Sequence, residues 1–211
     1  HLTLPCRVFH GNVKASMQQG ETVESAARRI RYEFFRTLAK ERCATHLATA
    51  HTRDDQCETV LLHLLHGAGP KGLCGILPKR TQGEITVIRP FIECSKEDVL
   101  AYCATHAVPY AIDRSNDDLS FTRNRIRHVL LPEMEAINPN VRQALCRTAT
   151  ALQKQQSTFE VRAGQFLEQY PQDLPVDALK ALPEGEQAEI LRQAAEKIGK
   201  HLSAEQTRQA L

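Results

Sequence analysis

His51-Thr-Arg-Asp-Asp-Gln-Cys-Glu-Thr59 concentrates more chemically useful side chains than any other stretch of this chain. If the segment is helical, Asp55 and Glu58, three residues apart, share one face. Two carboxylates so placed can hold an ammonium group, position Mg²⁺, or take a proton from an attacking amine. Acidic residues in a first helical turn also stabilise the helix macrodipole without any further role. A second group of candidates is basic. Residues 28–31 read Arg-Arg-Ile-Arg and residues 123–128 read Arg-Asn-Arg-Ile-Arg-His. Guanidinium forks suit phosphate oxygens, whether of a nucleotide or of an RNA backbone, although a solvated helix face has the same look.

The flanking pattern says how these residues would be positioned. His46-Leu-Ala-Thr-Ala50 is a compact apolar run bounded by polar residues, as expected of a buried parallel strand. It runs straight into a helix over 54–66, with Val60, Leu61, Leu64 and Leu65 as its apolar stripe and Gly67 as its C-cap. His51, Asp54, Asp55 and Glu58 then fall at the carboxyl edge of a strand, where open parallel sheets gather their ligands. Upstream, residues 4–9 read as a strand and 24–42 as an amphipathic helix. Downstream, the four glycines of 67–75 predict a loop, 85–88 a strand, and Ser95-Lys-Glu-Asp98 a capping box that opens a helix ending near His106. Strands alternating with helices point to an α/β fold with a parallel sheet over 1–131. From Asn138-Pro139 the pattern becomes helical, with one long helix to about Leu167, a break at Pro171–Pro175 and shorter helices beyond. A smaller helical domain is therefore expected over 138–211, with the boundary at 131–138.

Composition narrows the class. With 42% hydrophobic and 25% charged residues the chain is built to fold. No apolar run approaches the roughly 20 residues that cross a bilayer, and no signal-peptide pattern opens the chain. Seven cysteines without a CxxC pair argue for free thiols rather than a disulfide framework or zinc site, in keeping with a cytoplasmic protein. The net charge of +2 does not by itself announce nucleic-acid binding, so local basic patches must carry any such role.

The string Ala50-His-Thr-Arg-Asp-Asp-Gln-Cys-Glu-Thr-Val60, continued by Leu-Leu-His-Leu-Leu-His-Gly-Ala-Gly69, resembles a signature of the tRNA(Ile)-lysidine synthases, members of the N-type, or PP-loop, ATP pyrophosphatases. Further segments follow in the same order: Glu24-Ser-Ala-Ala-Arg-Arg-Ile-Arg-Tyr32, Gly72-Leu73, Arg89-Pro90, Asp113-Arg-Ser-Asn116 and Thr122-Arg-Asn-Arg-Ile-Arg127. His66 departs from the pattern, standing where the family commonly has arginine. The resemblance implies an adenine nucleotide α-hydrolase-like domain and a defined reaction. ATP would adenylate the carbonyl oxygen at carbon 2 of the wobble cytidine of a tRNA(Ile) with a CAU anticodon. The ε-amine of free L-lysine would then attack that carbon and expel AMP. Lysine's ordinary pKa of about 10.4 means that its amine must shed a proton first.

On that resemblance, His51, Asp55 and Glu58 are the catalytic candidates, with Asp55 and Glu58 also recognising lysine. Asp54, Arg28 and Arg31 are expected on the ATP side, Asp54 as a Mg²⁺ ligand. Arg123, Asn124 and Arg127 are expected to meet tRNA or phosphate. The oligomeric state is left open, a homodimer among the options. The family's Ser-Gly-Gly-x-Asp-Ser loop, whose amides would cradle pyrophosphate at a helix N-terminus, does not occur in these 211 residues. His1 aligns with a point after the family's second strand, and Leu211 falls within a helical pattern. The expectation is therefore a fragment, incomplete at its N-terminus and cut at its C-terminus, that is inactive alone while its parent is active. Two alternatives are another PP-loop tRNA-modifying enzyme, such as a base thiolase, although the CxxC pairs of the cytidine thiolases are lacking, and a non-catalytic tRNA-binding fragment.

Overall fold

The structure, a computed structural model, describes residues 5–111 and 117–211. Leu4 of the expected first strand, and Asp113 to Asn116, lie outside the described residues. The chain divides into two compact units, residues 1–50 with 78–90 and residues 51–77 with 91–211.

In the first unit, α1 (Val23–Glu41) starts at Thr22, whose hydroxyl accepts the Ser25 amide and so satisfies one of the free donors of the first turn. Three strands follow: β1 (His46–Ala48), β2 (Lys79–Gln82) and β3 (Ile85–Ile88), in the order β1-β3-β2. The expected parallel pairing is present between β1 and β3, with Leu47 opposite Val87. β2 joins antiparallel, so the sheet is mixed; Gly83, at φ 62°, makes the tight turn between β2 and β3. The alternation of Ile85 and Val87 puts both on the buried face, where Tyr32 and Phe35 of α1 help to close a small cavity with Leu47. Residues 5–9 do not form the strand expected of them. Pro5 has no amide to offer a ladder. The segment is held by side chains instead, with Arg7 2.5 Å from Glu41 and the Phe9 ring stacked on Phe34.

The second unit is helical. α2 (Arg53–Leu65) carries the acidic string and is followed by a short helix, α3 (Pro70–Leu73), inside the segment expected to be all loop. Pro70 occupies the first turn, where its fixed φ suits a helix and its missing amide costs nothing. α4 (Lys96–Thr105) begins at the expected capping box: Ser95 and Asp98 exchange backbone-to-side-chain bonds of 2.7 and 3.0 Å. α5 (Thr122–Arg125) runs through a single π turn at Ile126–Leu130 into α6 (Leu131–Ile137). Pro132 lacks the N–H that would serve the His128 carbonyl, and Leu131 instead reaches back to Ile126.

α7 (Val141–Gln169) is the long helix read from the sequence, ending at the Tyr170-Pro171 step. Three shorter helices complete the unit: α8 (Val176–Lys180), α9 (Glu184–Lys197) and α10 (Ala204–Ala210). Two apolar clusters hold it. Cys57 and Leu61 of α2 pack with Ile126, Leu131, Met134 and Leu145. Ala163 and Leu167 of α7 pack with Ile190 of α9. No helix among the described residues is long and apolar enough to cross a membrane.

Candidate active site on helix α2

Six successive residues of α2, Gln56 to Leu61, are buried, so this helix is a core element as well as the bearer of the acidic string. Each of its acidic side chains has a different main partner. Asp55 folds back onto the start of the helix: its Oδ2 accepts the Thr52 amide at 2.8 Å and the Thr52 hydroxyl at 3.1 Å. Its side chain keeps 27% exposure, and Arg127 Nη2 lies 4.0 Å away. Asp54 Oδ2 accepts the Lys96 amide at the start of α4 at 2.7 Å, and its Oδ1 receives Arg142 Nη1 of α7 at 2.5 Å. Arg142 is itself steadied by Glu135, at 2.6 Å through Nε. Glu58 is fully buried and takes Arg127 in a two-pronged pair, Nε to Oε1 at 2.6 Å and Nη2 to Oε2 at 3.1 Å. Burial pushes the Glu58 carboxyl above its ordinary value, while the Arg127 bond and charge pull the other way.

The arginine segment docks on the same helix. Arg123 Nη2 donates to Thr59 Oγ1 at 2.9 Å, one position along from the Glu58–Arg127 pair. The four-residue spacing of Arg123 and Arg127 puts both on the face that meets α2. Buried Asn124 donates through Nδ2 to the Asp118 carbonyl at 2.8 Å and so fixes the approach to α5. Of the sequence candidates, Asp55, Glu58 and Arg127 thus meet directly, Arg123 docks beside them through Thr59, and Asp54 turns instead to Lys96 and Arg142. His51 precedes it in the same unit and is half-buried. Arg28 and Arg31 belong to the other unit, exposed on α1, with Arg28 over the Tyr32 ring at 5.1 Å. His66 is exposed and its Nδ1 lies 2.7 Å from the Leu62 carbonyl of its own helix.

Several contributors were not singled out from the sequence. Arg142 lies far along the chain, and nothing in its neighbourhood marks it. Gln56 and Thr59 sit inside the acidic string, so their presence there was the available signal. Gln56 reaches the glycine-rich segment: its Oε1 accepts the Ile76 amide at 2.5 Å and its Nε2 donates to the Cys74 carbonyl at 3.3 Å. Gln153 of α7 donates to the same Cys74 carbonyl at 2.7 Å.

Each Asp54 oxygen accepts one hydrogen bond and keeps a further lone pair, so a divalent cation there would have to bind beside Arg142 and the Lys96 amide. Among the described residues no three His, Cys, Asp or Glu side chains are arranged to hold a metal. Mg²⁺ commonly takes only one or two protein carboxylates beside waters and phosphate oxygens, a requirement that Asp54 could meet.

Comparison with known proteins gives the same segments a family. Residues 1–134 match a family described as a PP-loop domain. A tRNA(Ile)-lysidine synthase of Thermosynechococcus vestitus is 36% identical over 185 residues, covering 85% of this chain and 52% of that protein. A Bacillus subtilis protein of the same name is 38% identical over 150 residues, 71% of this chain and 32% of its own length. One from Symbiobacterium thermophilum is 42% identical over 135 residues, 64% of this chain and 28% of its own length. The chain therefore spans about half, or less, of the curated relatives it matches. The acidic and arginine segments that dock on each other at α2 both fall inside the matched region, and this chain belongs to the PP-loop family, with relatives named tRNA(Ile)-lysidine synthase.

Proposed function

We propose that the protein to which these residues belong is a tRNA(Ile)-lysidine synthase, a cytoplasmic ligase that uses ATP to join free lysine to carbon 2 of the wobble cytidine of tRNA(Ile). The observation that carries this reading is the docking of residues 54–59 on residues 123–127, through Glu58–Arg127 and Thr59–Arg123. Two of the segments that carry the resemblance meet there, which supports reading them as parts of one site.

Within that site Asp55 is the most exposed of the three carboxylates, and we assign it the first contact with the lysine ammonium and the proton that the amine must lose. Glu58 would share in lysine recognition by holding Arg127 beside Asp55; direct contact would require Arg127 to leave. Asp54 would contribute by fixing the start of α4 against α2. Arg28 and Arg31 are proposed for the ATP side. Arg123, Asn124 and Arg127 are proposed to hold the tRNA-facing segment, and residues 138–211 to help place tRNA.

The test is lysidine formation with the full-length gene product, ATP, labelled lysine and a tRNA(Ile) transcript bearing CAU. Lysidine should be found in the nucleoside digest, and Asp55→Asn should raise the KM for lysine roughly 10- to 100-fold, the worth of one charge-assisted hydrogen bond. The 211-residue chain, which has no Ser-Gly-Gly-x-Asp-Ser loop, should form none. A full-length product that thiolates the tRNA, or leaves it unmodified, would overturn the assignment.

A further inference from the structure

We propose that Cys57 and Cys146 are a thiol-oxidation site, which a hydroperoxide converts to a disulfide tying α2 to α7. Their sulfurs are 3.6 Å apart although 89 positions separate them in the chain. Both belong to the same compact unit and pack in the same apolar cluster. A disulfide requires about 2.05 Å between sulfurs, so closure needs a shortening within reach of small side-chain rotations. Among the described residues no other two thiols are within hydrogen-bond distance, although seven cysteines are present.

The two sulfurs are unequal. Cys57 is fully buried, whereas Cys146 is only half-buried. The hydrogen bond between the two sulfurs, followed by the charges of Arg53 and Arg142, holds the Cys146 thiol below its ordinary value, with burial and Asp54 acting against them. The same hydrogen bond, reinforced by burial, pushes Cys57 up. Cys146 is therefore the sulfur that meets the oxidant and Cys57 the one that resolves it. The Cys146 sulfur attacks an oxygen of the hydroperoxide; an S–O bond forms, the O–O bond breaks and an alcohol, or water from hydrogen peroxide, departs. The Cys57 sulfur then attacks the sulfenic acid. An S–S bond forms, the S–O bond breaks, and the Cys57 proton leaves with the hydroxyl as water. Two thiols lose two electrons and the peroxide gains them.

The consequence lies in which helix is tied. Cys57 is flanked on α2 by Asp54, Asp55 and Glu58, and Cys146 lies one turn beyond Arg142, the partner of Asp54. Oxidation would make covalent a junction that now rests on that ion pair and on packing. This inference does not depend on the reaction the protein catalyses, and its test uses none.

The reduced 211-residue chain is treated with hydrogen peroxide, quenched by alkylation, and digested without reductant for mass spectrometry. The Cys57–Cys146 cross-linked peptide should be the main disulfide product and should vanish with dithiothreitol. It should form at least about tenfold faster in the folded chain than in urea, where closing so long a loop is entropically costly. Cys146→Ser should abolish it. Cys57→Ala, shown to be folded by circular dichroism, should leave a sulfenic acid on Cys146 that dimedone traps. Two results would overturn the proposal in the wild-type chain alone: Cys146 oxidised without cross-linking to Cys57, or the cross-link formed only after unfolding.

Discussion

Asp54, Asp55 and Glu58 lie within little more than one helical turn, yet each carboxylate is hydrogen-bonded to a different group: Arg142 with the Lys96 amide, Thr52, and Arg127. What separates them physically is burial. Glu58 has no exposure, and a buried charge is tolerated only when paired and hydrogen-bonded. Arg127→Met removes the pair's cation and leaves that carboxylate alone, so it should cost about 3 kcal/mol of stability in urea unfolding followed by circular dichroism. Glu58→Gln keeps an acceptor of the same shape and should cost only about 1 kcal/mol. The pH dependence has a definite sign. The Glu58 carboxyl is raised in the folded state, so its contribution is fully present below the ordinary carboxylate range and is lost as pH rises through the raised value. Without Arg127 that loss deepens. The cost of Arg127→Met should therefore shrink on going from pH 7 to about pH 4, near the ordinary glutamate value. An equal cost at both would mean that the Glu58 charge is not what Arg127 compensates.

At the scale of elements, α2 does two things at once: it presents an acidic first turn and it grips the glycine-rich segment behind α3. Gly75 is where the grip is tightest. Its φ is 62°, and a Cβ built there would lie 2.6 Å from Gln56 Oε1 and 3.0 Å from Val60 Cγ2. Gly75→Ala would add left-handed strain of roughly 1 kcal/mol and displace the amide that serves Ile76, for a total near 2–3 kcal/mol. Hydrogen exchange at the Ile76 amide should accelerate with it; unchanged protection would show that Gln56 is not that amide's restraint. The elements themselves were largely legible because they rest on local signals. The helices read over 24–42 and 54–66 are observed as Val23–Glu41 and Arg53–Leu65, and the Ser95–Asp98 box is formed. What local signals could not supply is pairing. Residues 5–9 have strand-like side chains but no ladder, and β2, polar throughout as Lys-Arg-Thr-Gln, becomes a strand only because β3 lies beside it. The candidate site was legible in the same uneven way. Residue types and spacing marked Asp55, Glu58 and Arg127, but a contact across 69 positions, or the tie from Asp54 to Arg142 across 88, leaves no periodic trace.

For the chain as a whole, acid acts both through the positive charge that builds up from a formal +2 at neutrality and through the particular carboxylates that folding perturbs. Glu189 is the clearest of these and opposite in sign to Glu58. It is 1% exposed on α9 and joins three elements: Lys71 of α3 at 3.2 Å, Gln156 of α7 at 2.8 Å and Arg192 of its own helix at 2.8 Å. Burial pushes its carboxyl up, but the bonds from Arg192 and Gln156 and the charge of Lys71 outweigh it, and the net direction is down. A carboxyl lowered by folding contributes stability that is present above its ordinary value and is lost as pH falls through the lowered one. Glu189→Gln removes that contribution at neutral pH and leaves nothing further to lose in acid. The variant should be about 3 kcal/mol less stable near neutrality, the cost of breaking a buried pair on one side, and its stability should fall less steeply on acidification than that of the unaltered chain. The chain has no tryptophan, so the measurement is urea unfolding by far-ultraviolet circular dichroism at a series of pH values. Parallel acid limbs in the two proteins would show that Glu189 is held by packing and not by its charge. In that case α9 would be held chiefly to α7, through the apolar contacts of Ile190 and Leu167.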